Sequence, residues 1–267
     1  MPLDRAREPQ KAMSIALTQL VAEADVLLMP EQWKDYCPNG LQVQGRKEVQ
    51  RLVTGVTACQ ALLDEAVAVE ADAILVHHGY FWKGESPELV GSKFKRIKTL
   101  IDNEVSLLAY HLPLDGHAIY GNNARLAEVL GFEVRGKLDE NNSNSLVFHG
   151  RLHRPTTGSM LAKTIANKLN RQPLHIDGSR EDKVIETIGW CSGGAQGMID
   201  LAIDRGLDAY LTGEVSEQTF HQAMEAGIQF FAAGHHATER YGVQAVGDYL
   251  ADALGIEHRF IDIDNPV

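Results

Sequence analysis

The feature that most restricts what this chain can fold into is that it repeats itself. Asp72-Ala73-x-Leu75 recurs as Asp208-Ala209-x-Leu211, an offset of 136 (72 to 208). "LAEVLGFE" (126–133) recurs as "LADALGIE" (250–257), an offset of 124 (126 to 250). The matches fall in the same order, and the difference between the offsets is absorbed by the longer loop after His78. Two long copies imply a duplicated unit rather than a solenoid, whose repeats are short and number at least three.

Each copy alternates strand and helix. In the first, "RLVTGVTAC" (51–59), "DAILVHHG" (72–79) and "VSLLAYH" (105–111) read as strands. The helices between them are "QALLDEAVAVEA" (60–71) and a segment near 93–103. In the second, 187–195 reads as strand and glycine turn, 196–207 as helix, 208–214 as strand, 216–227 as helix and 228–236 as strand. That order indicates βαβ units and mainly parallel sheets. A first helix is expected from Ser14, as N-cap, to about Leu28, with Pro30 closing it. A turn at Asn39-Gly40 leads into a short strand, 134–160 reads as turn and strand, 159–170 as helix and 173–177 as strand.

The expected fold is therefore α/β: two interlocked, pseudo-repeated α/β lobes with mixed and parallel sheets and helices on the outside. Residues 14–130 plus 236–267 would form one lobe and 131–235 the other, with 1–13 a loose extension. A 267-residue chain with 44% hydrophobic and 23% charged residues has the composition of an ordinary globular protein. Its net charge of −11 argues against non-specific nucleic-acid binding, which needs a basic surface. Cys37, Cys59 and Cys191 are too few and too scattered for a disulfide framework, which fits a reducing, cytoplasmic setting. No apolar run is long enough to cross a membrane, and the first residues lack the apolar core of a secretory signal.

The second offset carries the chemistry. It takes His111 to His235 and Asp115 to Glu239, so each half places His-x-x-x-Asp/Glu just after a strand. His77-His78 ends another strand, and Gly213-Glu214 ends a fourth. Functional groups of open α/β sheets gather at the carboxyl ends of strands. If the halves face each other, several imidazoles and at least two carboxylates converge, a donor set suited to Zn, Fe, Mn or Ni. Adjacent strand residues point to opposite faces, so two neighbouring ligands imply a backbone leaving the strand, a bend that Gly79 permits. The plainer reading of one buried histidine at a strand end is a hydrogen-bonded structural residue. His149, His153, His175, His221 and His258 have no matching context and read as surface or structural. His117 could stand beside Asp115. "GWCSGGA" (189–195) reads as a tight strand–helix turn rather than a phosphate cradle, Cys191 has no local feature to activate it, and Phe81-Trp82 reads as packing.

"PNGLQVQG", "HHGYFW", "HLPLDGH", "GNNARLAEVLG", "DAYLTGE" and "GHHATERYGV", in that order, resemble the NGG-interacting-factor-three-like family, often labelled GTP cyclohydrolase I type 2. The resemblance runs from about residue 14 onward and is closest to short bacterial members. It implies two interlocked lobes around a dinuclear metal site, with His77, His78, Asp115, His235 and Glu239 as ligands and His111 a ligand or its neighbour. It also implies hexameric rings. In the family the first histidine motif is usually followed by proline, where this chain has Gly79.

The function expected is that of a dinuclear metal-dependent hydrolase. A metal-bound hydroxide would attack a nucleotide-like or other small polar substrate, with Glu214 or His111 moving protons. The alternative is a non-catalytic metal-binding scaffold or regulator.

Overall fold

The computed structural model describes residues 13–139, 142, 144–178 and 183–267. Of the expected N-terminal extension, residues 1–12 lie outside the described residues. The first elements are β1 (Ile15–Ala16), α1 (Leu17–Leu28), β2 (Gly40–Val43) and β3 (Glu48–Val49). The first copy comes next, as β4 (Arg51–Thr57), α2 (Gln60–Ala68), β5 (Ala73–His78), α3 (Gly91–Asp102), β6 (Ser106–Ala109), α4 (Leu112–Gly116) and α5 (Asn122–Leu130). Then come β7 (Phe132–Lys137), β8 (Phe148–Thr157), α6 (Gly158–Leu169) and β9 (Leu174–Ile176). The second copy is β10 (Val184–Trp190), α7 (Ile199–Asp204), β11 (Ala209–Thr212), α8 (Glu217–Ala226), β12 (Gln229–Ala232) and α9 (His235–Leu254), and β13 (Glu257–Phe260) ends the chain's regular structure.

Beside a two-stranded β1-β3 ladder, one large sheet has the order β13-β4-β5-β6-β2 and the other β7-β8-β10-β11-β12-β9. Within them β4, β5 and β6 are parallel, as are β10, β11 and β12, so the duplicated units hold equivalent places. The antiparallel strands β2, β7, β8 and β9 make both sheets mixed.

The repeated residues explain themselves in this frame. Asp72 Oδ2 accepts from the backbone N–H groups of Gln50 and Arg51. Asp208 Oδ2 accepts from those of Glu186 and Thr187, which stand 136 residues further on. Each aspartate thus fastens the start of its own strand to the first strand of its unit. Gly131 and Gly255, the glycines of the two "LG" pairs, end α5 and α9 in the left-handed conformation (φ 74° and 68°), which a side chain resists.

Beyond those glycines the two halves interlock. After α5 the chain enters β7 of the second sheet; after α9 it returns to β13 at the edge of the first. Leu126, Ala127 and Leu130 of α5 accordingly pack in the core with Ile188, Trp190 and Phe231. Val243, Val246 and Leu250 of α9 pack with Leu52, Leu75 and Leu108.

Three local expectations need correction. Ser14 does not cap α1: its hydroxyl donates to Glu48, residues 15–16 pair with β3, and Ala16 precedes the helix. The expected helix 196–207 is a 3₁₀ turn over Gln196–Met198 followed by the shorter α7. His235 and His236 do not end a strand; β12 stops at Ala232 and both open α9.

Candidate metal centre

Starting α9 at His235 puts His235 and Glu239 one helical turn apart on the same face. His111 likewise precedes α4, which carries Asp115. The expectation that Gly79 bends the chain is overturned: β5 continues through His78, which pairs with Thr57. Gly79 is required for close approach, because a Cβ there would lie 2.3 Å from Gln42 Oε1 and 2.5 Å from Ala109 Cβ. Both histidines reach one carboxylate regardless. His77 Nε2 lies 3.4 Å from Glu239 Oε1, and His78 Nε2 lies 3.4 Å from Glu239 Oε2.

The remaining groups gather around the same carboxylate. Asp115 Oδ1 is 3.5 Å from His77 Nε2, and His235 Nε2 is 3.3 Å from Glu239 Oε2. The two oxygens of Glu239 therefore divide the cluster into His77 with Asp115 on one side and His78 with His235 on the other. Ligand-capable atoms of His77, Asp115 and Glu239 lie within 4.8 Å of one another, as do those of His78, His235 and Glu239, and those of His77, His78 and His111.

Hydrogen bonds aim three of the rings. His77 Nδ1 donates to Tyr110 O (3.1 Å), His111 Nδ1 to Asp35 Oδ1 (2.7 Å) and His235 Nδ1 to Glu214 Oε1 (2.7 Å). These acceptors have no proton to give, so each ring, when neutral, carries its proton on Nδ1 and turns an unprotonated Nε2 toward the cluster. His78 Nδ1 pairs with the Thr57 hydroxyl at 3.2 Å. Asp115 Oδ1 accepts from Asn122 Nδ2 (2.9 Å) and Ser192 Oγ (3.0 Å).

The residues fit a divalent cation. His77 Nε2, on the Asp115 side, and Glu239 Oε2, on the His78 and His235 side, are each buried without a hydrogen-bond partner, which is costly unless a cation meets each of them. Donors about 2.0–2.2 Å from one tetrahedral ion stand about 3.4 Å apart, the spacing of the four pairs above. Gly193 borders the same space at φ 65°, where a Cβ would lie 2.1 Å from Glu239 Oε1 and 3.1 Å from His235 Nε2.

The electrostatics show the same demand for positive charge. Burial opposes a charged His77, but Asp115 and Glu239 outweigh it and raise its pKa to about 9. His235 is also raised to about 9, its burial outweighed by Glu239 and Glu214. His78 is pushed down to about 3 by burial and by the charge on His77. Burial raises the carboxyl of Asp115. Glu239 is held well below the usual carboxylate range, because His77 and His78 overcome its burial. Burial works to raise Asp35, but its bonds to His111 and Asn39 bring it down to about 2.

A cleft of about 430 Å³ opens onto the cluster, with Tyr36, Trp82, Leu146 and Met198 among its walls. Trp82, read from sequence as packing, stands 4.9 Å from His111 and 6.0 Å from His78, ring centre to ring centre. Cys191 borders the cleft, but burial pushes its thiol pKa up, away from the nucleophilic thiolate. Glu214 supports His235 and also accepts from Gln196 Nε2. His117 stays apart, its Nδ1 accepting from the backbone N–H groups of Ile119 and Tyr120. His175 stacks on Phe231, while His236 and His258 pair with Asp262 and Asp248. The sequence carries no signal for Asp35, and it marks Asn122 and Ser192 only as members of quoted segments without a role, because none shares a local motif spacing with the residue it supports.

Fold and cluster together define a duplicated α/β protein with two large sheets, whose halves jointly build a histidine–carboxylate centre. Residues 15–266 match the family described as Duf34/NIF3 (NGG1p interacting factor 3), and the chain belongs to that family. The GTP cyclohydrolase 1 type 2 homolog of Pseudomonas aeruginosa is 59% identical over 254 residues, spanning 95% of this chain and 100% of that one. The protein of the same name from Escherichia coli K12 is 52% identical over 232 residues, spanning 87% and 92%. Among solved structures, the protein ybgI, described as of unknown function, matches with a TM-score of 0.90 at 49% identity, covering 95% of this chain and 100% of that one. TTHA1606 from Thermus thermophilus matches with a TM-score of 0.86 at 30% identity and the same coverage.

Proposed function

We propose that this protein is a dinuclear metal-dependent hydrolase acting on a nucleotide-like or other small polar substrate. The observation that carries this reading is the division of Glu239, one oxygen toward His77 and the other toward His78 and His235, beneath an open cleft. His77, Asp115 and Glu239 would hold one divalent ion, and His78, His235 and Glu239 the other. Bound there, such ions would acidify water and, as Lewis acids, draw electron density from a substrate oxygen so that the adjoining carbon or phosphorus becomes open to attack. Trp82 and Tyr36 form walls against which a substrate ring can lie. Glu214, partly exposed, holds His235 and can pass a proton to solvent.

The name carried by the curated relatives places GTP on the substrate panel beside phosphoesters and amides. The test is turnover by purified, metal-loaded protein across that panel, with His77→Ala and Glu239→Ala as controls. Activity lost in both variants is expected; activity that survives both rejects the mechanism. The hexameric ring belongs to the same reading, and light scattering in solution should return the mass of six chains. Among the described residues, no helix is long and apolar enough to cross a membrane.

A further inference from the structure

His111 is gripped at both ends by a loop outside the duplicated units. Its backbone N–H donates to Asn39 Oδ1 at 2.7 Å, and its ring Nδ1 donates to Asp35 Oδ1 at 2.7 Å. Asp35 is itself fixed, since its Oδ2 accepts from Leu112 N and Asn39 Nδ2, both at 2.9 Å. One ring nitrogen of His111 lies within 4.8 Å of ring nitrogens of both His77 and His78. With Nδ1 engaged, Nε2 is the nitrogen left to bind.

The second copy offers an internal comparison. His235, the counterpart of His111, has its Nδ1 held by Glu214 at the same 2.7 Å. The two carboxylates are not counterparts, because the offset of 136 carries Glu214 back to His78, whereas Asp35 precedes the first copy. A carboxylate behind this histidine was therefore supplied separately in each half. Their settings differ: the Asp35 side chain is 3% exposed and the Glu214 side chain 36%.

We infer that Asp35 is a positioning residue, which locks His111 in the Nδ1–H tautomer and so presents Nε2 as a further donor to the metal centre. This rests on the metal-centre reading above, so the test must separate the two. The first measurement is ¹⁵N NMR of histidine-labelled wild-type protein without metal, with the His111 signal assigned by its loss in His111→Gln. The neutral ring is expected to carry its proton on Nδ1. In Asp35→Ala the signal should move toward the Nε2–H form, while that of His235 stays unchanged.

The second measurement is Co(II) titration followed by the visible absorption bands of the bound ion. Asp35→Ala should weaken Co(II) binding about 10–100-fold and alter the bands. The isosteric Asp35→Asn, which keeps one oxygen at the site, should fall between it and wild type and covers the case of a misfolded alanine variant. A wild-type His111 protonated on Nε2 overturns the inference. So does Co(II) binding by Asp35→Asn and Asp35→Ala that is unchanged in strength and spectrum. Failure of wild-type protein to bind Co(II) at all rejects the metal centre and, with it, the role given to Asp35.

Discussion

His77 and Glu239, from opposite halves of the chain, meet with Nε2 and Oε1 3.4 Å apart, both side chains almost entirely buried. Neither half contains the whole cluster: the first contributes His77, His78, His111 and Asp115, the second His235 and Glu239. The cluster exists only when the two large sheets are assembled, so any cation bound there would be tied to folding.

The two carboxylates should therefore differ in consequence. Asp115 lies near His77 alone among the imidazoles within 4 Å of a carboxylate here, whereas Glu239 lies near three. Glu239→Gln is expected to lose both bound ions and Asp115→Asn only one, as read by elemental analysis of dialysed protein. Equal retention in the two variants would contradict a shared carboxylate. Chelation of the wild type should lower its thermal midpoint, because the ions bind the folded state alone.

Gly193 tests the room left for that carboxylate. Alanine there costs about 1–2 kcal/mol for its left-handed backbone, and its Cβ would collide with Glu239 Oε1. Gly193→Ala is expected to be destabilised and to lose metal. Gly194→Ala, whose Cβ would stand 3.4 Å from Glu214 Oε2, should keep both properties. Urea unfolding and metal analysis of the pair decide the matter.

Leu126 and Leu250 occupy the same place in the repeated motif, yet each is fully buried in the core of a different sheet. Truncating either to alanine should cost about 2–5 kcal/mol in urea unfolding. A near-zero loss at Leu250 would mean that α9 does not close the first core.

Asp208 supplies a pH dependence away from the metal centre. Burial acts to raise its pKa, but the N–H of Thr187, the ammonium of Lys183 and the N–H of Glu186 outweigh it and lower the value. A depressed carboxyl stabilises the fold above its unfolded pKa of about 3.9, and that stability is lost as pH falls through the lower folded value. Asp208→Asn should melt below wild type at neutral pH, with the gap closing in acid. A gap that stays constant into acid would remove the charge from the explanation.

Much of this fold was legible because its signals are local. The Asp-Ala-x-Leu and "LG" matches mark a strand start and a helix end, and both depend on a few neighbouring backbone groups. The i, i+4 spacing of His235 and Glu239 is plain in the sequence, but their element is not: α9 begins at His235, earlier than expected. Ser14 failed as a cap because β1 pairs with β3, a contact invisible from the helix alone.

By itself, then, the sequence determined a duplicated α/β chain and the positions of its imidazoles and acids, since periodicity and spacing act over a few residues. Only the tertiary structure decided that α5 serves the second sheet and α9 the first, that Glu239 faces three histidines, and that Asp35 stands behind His111. Those pairings join segments far apart in the chain, where burial of apolar helix faces selects the partner and nothing nearby in the sequence records it.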